Sequence, residues 1–336
     1  MKRLAVVLAI AVCLSPLPSA AVTWTRVEEV PADDVFSLQR HGTTLYAGTV
    51  NVVYVGEGEG TTWIPTTAVD TAAAAVETVV PAGGALWAGT FNRGVFRSTN
   101  GGTSWDPVNT GLAGLGSSSV IALVEKGGKL YAGTGGAGVF VLDLATPTQW
   151  SEFNLGFPVF TAGTVAALVL NGTTLVAPAG GNGFVYRFPE GANAWQEVAI
   201  VPPIAPGLLT TDLVALGGDL LAGTTNRAYR SDDDAQSWTF AGNGLLQGTA
   251  TFLATDGAAF YAGVDFLGNN HRLYRSTDSG DSWQQFDEIS GAFLYALEVA
   301  GDKLFAARHD GLWWTPLATT GVERATWSGF KKRFRE

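Results

Sequence analysis

Short apolar stretches alternate with turn residues along most of this chain. The segment LYAGT at Leu45 returns at Leu130, and close variants begin at Leu86 and Leu220. Weaker copies begin at Leu175, Phe260 and Leu304, so that seven copies follow one another at intervals of 40 to 45 residues. Each copy has an apolar stretch before it and another after it. This pattern predicts three short β-strands per copy, and no segment keeps a helical period over three turns.

A tryptophan opens a fourth, polar strand in six of the copies. These tryptophans are Trp63, Trp105, Trp150, Trp195, Trp238 and Trp283. The seventh copy lacks this strand after Leu312, but Val22–Val30 has the same form and carries Trp24. Residues 22–318 are therefore predicted to form an all-β, seven-bladed β-propeller of four-stranded blades, closed by the N-terminal strand.

The first 21 residues have the form of a signal peptide. Lys2 and Arg3 precede an apolar run, and small residues lead to a predicted cleavage near Ala21. The apolar run is too short to span a bilayer, and we expect an exported protein, periplasmic or extracellular. The single cysteine, Cys13, leaves with this segment, so no thiolate metal site, other metal site or cofactor is predicted.

Charge is distributed unevenly. Of 20 Lys and Arg residues, two lie in the signal segment and five after residue 318, while only two of 30 Asp and Glu residues lie in those parts. The propeller region thus carries 13 positive and 28 negative charges, a net charge of −15. This excess disfavours nucleic acid and anionic membranes as its partners.

The C-terminal tail, residues 319–336, does not fit the repeat. Trp327, Phe330 and Phe334 follow one face of a helix, and Lys331, Lys332, Arg333 and Arg335 make the tail basic. This pattern favours docking on a partner or a surface. A solvated chain terminus is the alternative interpretation.

Three copies carry an eight-residue box of the form S-x-D-x-G-x-x-W before the fourth strand. The residues assigned to it are Ser98, Asn100, Gly102, Trp105, Ser231, Asp233, Trp238, Ser276, Asp278, Gly280 and Trp283. A turn between the third and fourth strands explains them: the Asp or Asn accepts backbone N–H groups, the Gly permits positive φ, and the Trp packs on its own hairpin. Asn100 replaces Asp, and Ala235 replaces Gly. A turn tolerates such exchanges, whereas a catalytic carboxylate does not.

This box resembles the Asp-box, or BNR, repeat of the sialidase-like propellers. The surrounding LYAGT and GVFRSTN sequence motifs are most similar to those of the sortilin-type and photosystem II assembly-factor-type propellers. The resemblance implies the propeller fold and places the boxes on the face opposite the usual ligand face. It leaves the chemistry open, because function depends on the site and not on the fold.

The same resemblance raises a sialidase-like glycoside hydrolase as an alternative. Such an enzyme would need an arginine cluster, a Tyr–Glu couple, an acid/base Asp and an early Arg-Ile-Pro motif, and that motif is absent. Tyr186 occupies a repeated packing position, and Tyr295 and Glu298 are expected on opposite faces of a strand. His41, His271 and His309 lack metal-ligand spacing and are interpreted as loop residues. No catalytic residue is assigned.

The candidate ligand-binding residues lie in loops between second and third strands. They are Asn92, Arg93, Asn226, Arg227, Asn270, His271, Arg272, Arg308 and His309. Such donors around one opening would suit a protein or glycan partner and favour an acidic ligand. The alternative is that Asn, Arg and Gly simply make good exposed turns. The longest of these loops, Asp265–Arg272, also carries Phe266 and Leu267, which favours binding there.

Together these patterns predict an exported, monomeric, non-catalytic propeller that binds a protein or glycan partner, as an assembly or adhesion module. A divergent sialidase-like glycoside hydrolase is the alternative function.

Overall fold

The computed structural model describes residues 22–113, 117–158, 164–179, 183–200, 208–246, 248–265 and 270–317. The predicted signal segment, the basic tail, and Phe266 and Leu267 lie outside the described residues. Twenty-eight strands form seven separate four-stranded antiparallel sheets. This confirms the seven-bladed propeller. Among the described residues, no helix is long and apolar enough to cross a bilayer.

The first four blades follow the order of the chain. Blade one contains β2 to β5, at Val35–His41, Thr44–Thr49, Val53–Glu57 and Thr62–Pro65. Blade two contains β6 to β9, at Val76–Ala82, Ala85–Thr90, Gly94–Ser98 and Asp106–Pro107. Blade three contains β10 to β13, at Val120–Lys126, Lys129–Thr134, Val139–Asp143 and Ser151–Glu152. Blade four contains β14 to β17, at Val169–Asn171, Thr174–Pro178, Phe184–Phe188 and Gln196–Ala199.

The last three blades complete the ring. Blade five contains β18 to β21, at Thr210–Leu216, Asp219–Thr224, Arg227–Ser231 and Thr239–Phe240. Blade six contains β22 to β25, at Thr249–Thr255, Phe260–Asp265, Asn270–Ser276 and Gln284–Ser290. Blade seven contains β26 to β28, at Leu294–Ala300, Lys303–Arg308 and Gly311–Pro316, with β1, Thr25–Arg26, as its outer strand.

The predicted closure by the N-terminal segment is confirmed. Strand β1 pairs with β28, with Thr25 opposite Trp314 and Arg26 opposite Trp313. Val27 and Val30 are buried in the core between blades seven and one. The last blade thus gains its fourth strand from the start of the described chain, so no sheet edge opens between blades seven and one.

The antiparallel order gives the propeller two distinct ends. The loops between second and third strands and the blade-to-blade connections form one end, which we call the loop face. The turns between first and second strands and between third and fourth strands form the other, which we call the turn face. The first strand of each blade is innermost and faces a central channel.

Three of the repeated tryptophans bond to the preceding blade, a contact that the sequence did not predict. The indole N–H groups of Trp150, Trp195 and Trp283 donate to main-chain carbonyl oxygens 42 residues earlier, at 2.8, 2.7 and 2.7 Å. These acceptors directly follow the fourth strand of the preceding blade. The repeated tryptophan therefore stabilises the contact between blades as well as the turn.

Candidate functional site

A central channel lies along the propeller axis. It encloses about 550 Å³ and is lined by the inner strands of all seven blades and the residues leading into them. Because every blade contributes, residues far apart in the chain meet there.

A β-bulge re-aims one residue of the inner strand in six blades. The register shifts occur in β2, β6, β10, β18, β22 and β26, each next to the loop-face end of the strand. A bulge leaves its extra residue unpaired and turns its side chain. We call the channel-lining residues at this position, with Ala166 at the corresponding place in blade four, the bulge ring: Phe36, Glu77, Ile121, Ala166, Thr211 and Tyr295.

One side of the bulge ring is aromatic and acidic. The ring centroids of Phe36 and Tyr295 are 5.3 Å apart, and the Tyr295 hydroxyl donates to Asp34 Oδ1 at 2.8 Å. Burial raises the pKa of the Glu77 carboxyl in the neighbouring blade. Among the described residues, none forms a hydrogen bond or ion pair with the Glu77 side chain. The opposite side, at Ile121 and Ala166, is apolar.

The predicted arginine donors are largely paired within the protein. Arg93 Nε lies 2.5 Å from Asp70 Oδ2, and Arg272 Nε lies 3.5 Å from Glu288 Oε2. Arg308 makes two hydrogen bonds to Asp310 and stacks over the Trp313 ring. Each of these three arginines therefore has a carboxylate neighbour, so the described side chains do not form a ring of uncompensated cations.

Other candidate donors have structural partners as well. Asn92 has positive φ, and its side-chain oxygen accepts the Ser119 hydroxyl hydrogen at 2.8 Å. Asn226 is exposed in the loop between strands β19 and β20. It lies beside Arg227, whose side chain is outside the described part of the structure. The backbone N–H of Phe293 donates to His309 Nδ1.

Two of the histidines are not loop residues, which corrects the sequence interpretation: His41 is the last residue of strand β2, and His271 lies with Asn270 and Arg272 in strand β24. Only 4% of the His271 surface is exposed. Its Nε2 accepts the Leu294 backbone N–H of blade seven at 3.3 Å. Burial lowers its pKa and so favours the neutral ring. His271 therefore joins blades six and seven and is not accessible to a ligand.

Exposed apolar side chains concentrate on the loop face. Seven large hydrophobic residues are exposed in the described part of the chain, and four lie in loop-face segments: Val50, Phe91, Leu209 and Phe293. Phe91 is 55% and Phe293 50% exposed, and Phe293 directly precedes an inner strand. Of the other three, Ile64 and Phe240 lie on outer strands, and the Leu155 carbonyl accepts the Trp195 N–H at the start of an outer strand. Clustered exposed apolar side chains are typical of interaction sites.

Two buried carboxyls face the channel with strongly raised pKa values. Burial raises the pKa of both Asp212 and Glu298 to about 7. Asp212 accepts the backbone N–H groups of Leu213 and, across the blade boundary, Leu253, both at 2.8 Å. Glu298 accepts the Val299 N–H at 2.9 Å and lies 3.7 Å from Arg40 Nε. Both carboxyls thus brace the channel wall.

Two tyrosines pair with carboxylates, although not in the combination considered from the sequence. Tyr186 donates to Glu197 Oε2 at 2.5 Å, and Tyr295 donates to Asp34 instead of Glu298. Burial and the carboxylates raise both tyrosine pKa values, that of Tyr295 to about 12. A nucleophilic tyrosine needs the opposite shift.

The boxes are located at the turn face, between third and fourth strands. Asn100 Oδ1, Asp233 Oδ1 and Asp278 Oδ1 each accept the backbone N–H of the serine four residues later, at 3.0, 2.9 and 2.9 Å. Gly102 and Gly280 have φ of +88° and +91°. The role of a turn acceptor is sufficient to account for these side chains.

The sequence analysis missed the bulge ring. Its members occupy one position of the repeat, two residues before the buried aliphatic residue of each inner strand, such as Leu38, Leu123 and Leu297. The residue type at this position varies from blade to blade, and only blades five and six share one, threonine. This variation within an otherwise regular repeat is the sequence feature that could have indicated the bulge ring.

Comparisons with known proteins bear on the fold alone. No protein-family model matches the chain, and no curated protein matches it in sequence. Among solved structures, YCF48 bound to D1 peptide is similar with a TM-score of 0.65 and 16% identity, covering 92% of this chain and 98% of that one. YCF48 from Cyanidioschyzon merolae gives 0.64, also at 16% identity, over 88% of this chain and 98% of that one.

Two larger proteins contain a similar unit. The extracellular domain of the putative hybrid two component system BT4673 from B. thetaiotaomicron has a TM-score of 0.68 at 12% identity, covering 88% of this chain and 40% of that one. The GH74 xyloglucanase from Xanthomonas campestris gives 0.64 at 16% identity, over 87% and 53%. These neighbours include a peptide-bound protein, an extracellular domain and an enzyme. The chain is a closed seven-bladed β-propeller, and the likenesses go no further than that class.

Proposed function

We propose that this protein is an exported, non-catalytic propeller that binds a segment of a protein partner at its loop face. The observation that carries the proposal is that four of the seven exposed large apolar side chains in the described chain lie in loop-face segments. One structural neighbour supports a peptide as the kind of ligand, since YCF48 has been solved with a bound peptide. The signal segment predicted from the sequence and an extracellular neighbour support the location.

A protein segment suits this surface better than a glycan or a free acidic ligand. Apolar groups such as Phe91 and Phe293 bury against apolar side chains, and aromatic residues are enriched at the centres of protein interfaces. The arginines that would attract an acidic ligand already have carboxylate neighbours. Their pairing weakens the support for the acidic partner expected from the sequence.

Site-specific photo-crosslinking tests the proposal. A photoreactive phenylalanine analogue placed at Phe91 or Phe293 should capture one partner reproducibly in the native secretome. The same analogue at Phe240, 44% exposed on an outer strand, is the matched control. Capture of the partner at one of these two positions should be lost when the other is changed to serine. Equal capture from Phe240, or none from the loop face, would contradict the proposal.

Glycoside hydrolysis is a second candidate, favoured by one observation. Burial raises the pKa of two channel carboxyls, Asp212 and Glu298, to about 7, where a general acid works best, and the Asp212 charge contributes to the raised pKa of Glu298. Their hydrogen bonds to main-chain N–H groups instead indicate a bracing role. A screen of sialosides and β-glucans should show no turnover. Hydrolysis that disappears in Glu298→Gln would establish the enzyme.

A further inference from the structure

We infer that the channel mouth between blades seven, one and two binds the cationic head of a lysine or arginine side chain carried by an apolar peptide segment. The inference deepens the proposed function and rests on it, because it names the chemistry of the segment that the loop face binds. It reverses the acidic ligand expected from the sequence.

The local charge has the required sign. Asp34 and Glu77 place two carboxyls at this part of the mouth. No member of the bulge ring is basic. In blade one the basic channel residues, Arg40 and His41, come at the opposite end of the inner strand, next to the turn face. A narrow opening lined by one sign of charge focuses its field and attracts the opposite charge.

The Glu77 side chain is the strongest single indication. It is partly buried, and burial raises its pKa because the ionised form has lost water. The other channel carboxyls have compensation: Asp212 accepts two N–H groups, and Glu298 has Arg40 nearby. Glu77 has no such partner within the described structure. An incoming cation would supply it and offset the desolvation.

The aromatic pair adds a second attraction that is specific to cations. Phe36 and Tyr295 lie side by side between the two carboxyls, and the π-face of such a ring attracts an ammonium or guanidinium group. The Tyr295 hydroxyl already donates to Asp34, which fixes the ring and leaves the second oxygen of that carboxylate for a ligand.

The rest of the mouth suits the stem of such a side chain. Ile121 and Ala166 form an apolar wall across the channel from the acidic side. Lysine and arginine bury their methylene stems on apolar surface while their charge reaches a polar one. Around the mouth, Phe91 and Phe293 would contact apolar neighbours in the same segment.

We assign the segment to a partner protein, because the described chain leaves blade seven at the turn face, opposite the mouth, where the Leu317 N–H donates to the Asp302 carbonyl oxygen. The basic tail of this chain nevertheless has the chemistry required of the segment. Residues 322–336 combine Trp327, Phe330 and Phe334 with Arg324 and four further basic residues. A labelled peptide of this sequence is therefore the first probe, and the same residues in scrambled order are the second. The propeller of residues 22–317 serves as receptor, since β1 and β28 close its ring without the tail.

Fluorescence anisotropy at pH 8 tests the inference. Both probes should bind to the 22–317 propeller, and binding should weaken steeply between low salt and about 0.3 M salt. Glu77→Gln should weaken binding by about tenfold and Phe36→Leu by several-fold. Glu298→Gln, which also removes a channel carboxyl but toward the turn face, should leave affinity within about twofold. Circular dichroism would show that each variant keeps its fold.

Several outcomes would overturn the inference. These are failure of both probes to bind, equal binding by Glu77→Gln, or equal binding by a probe whose Lys and Arg residues are all replaced with Gln. Weaker probe binding by residues 22–336 than by 22–317 would show that the tail itself occupies the site and would overturn its assignment to a partner protein. Equal binding by the two is the expected result. Partner capture at Phe293 without any charge dependence would leave the proposed function standing and remove only this inference.

Discussion

The two ends of the propeller use their side chains in different ways. At the turn face, polar side chains of the boxes bond within their own turns, and the Trp283 indole is bonded to the preceding blade. At the loop face, large apolar side chains remain exposed, and Glu77 lacks a partner among the described residues. One end is internally satisfied, and the other retains unused binding capacity.

This difference separates positions whose side chain repeats from blade to blade and serves folding from positions whose side chain does not repeat. Positions that recur in every blade, such as the box tryptophan, hold neighbouring blades together. The bulge ring shares the same backbone geometry from blade to blade but varies from phenylalanine to glutamate to alanine. Backbone repetition with side-chain variation is what a binding site requires when it is built on a rigid scaffold.

The largest expected contrast is between Trp283 and Phe293. Trp283→Ala should lower the free energy of unfolding by about 3–5 kcal/mol, because a buried aromatic ring and its hydrogen bond to Ala241 are lost. Phe293→Ala should change it by less than about 0.5 kcal/mol, because half of that side chain is already exposed. Urea unfolding of the two variants measures both values. Similar losses would mean that the loop face also holds the fold together.

A second contrast compares two ion pairs of similar exposure. Arg187 and Asp234 at the turn face have side chains that are 11% and 36% exposed, and Arg308 and Asp310 at the loop face have 13% and 37%. Asp234 also accepts hydrogen bonds from Thr174 and Asn171, so it joins blade four to blade five. Asp310 contacts an arginine only two residues away.

Asp234→Ala should therefore cost about 2 kcal/mol, since the Thr174 hydroxyl and one guanidinium nitrogen of the buried Arg187 lose their carboxylate acceptor, although Arg187 keeps its bonds to the Asp234 carbonyl and to Gln196. Asp310→Ala should cost about 1 kcal/mol or less, because Arg308 keeps its stacking on Trp313. Thermal unfolding of the two variants decides between them. A loss at Asp310 equal to that at Asp234 would show that the loop-face pair is structural too.

The sequence predicted the parts of this molecule that repeat and missed those that do not. Strand number, ring closure and the position of the boxes follow from periodic apolar residues and tryptophans, whose signal adds over seven copies. The site depends on single residues such as Asp34, Glu77 and Tyr295, which a bulge and the ring closure bring together from blades seven, one and two. His271 was misplaced because the composition of its segment resembles a loop, whereas pairing with β25 extends the strand through it.

The channel should make stability depend on pH through its buried carboxyls. Burial raises the folded-state pKa of Glu298 from 4.5 to about 7. The folded protein therefore holds a proton that the unfolded chain releases, and this stabilisation is complete below about pH 4 and is lost as pH rises through about 7. The loss should be about 2 kcal/mol, after discounting for solvent that reaches the channel.

Glu298→Gln is the matched test of this slope. Gln39 occupies the same position of the repeat in blade one and accepts the Val79 N–H of the next blade, so glutamine fits there. We expect the variant to show a flatter stability profile between pH 4 and about pH 8 than the wild type in urea unfolding. An unchanged slope would mean that Glu298 stays ionised in the folded protein and that Arg40 compensates it.

The smallest expected contrast lies within the turn face, between two boxes that differ at one position. Ala235 has φ of +61°, close to the left-handed helical minimum, whereas Gly280 has φ of +91°. A Cβ on Gly280 would lie 3.3 Å from Ala241 and from Leu221, so Gly280→Ala adds strain and crowding and should cost about 1–2 kcal/mol. Ala235→Gly should change stability by less than about 0.5 kcal/mol, because relief of backbone strain is offset by loss of a buried methyl group and by a more flexible unfolded chain. Urea unfolding at a single pH resolves the two. If Gly280→Ala does not change the free energy of unfolding, the box does not require glycine at this position. The turn itself, and not the smaller φ of Ala235, would then explain why alanine is accepted there.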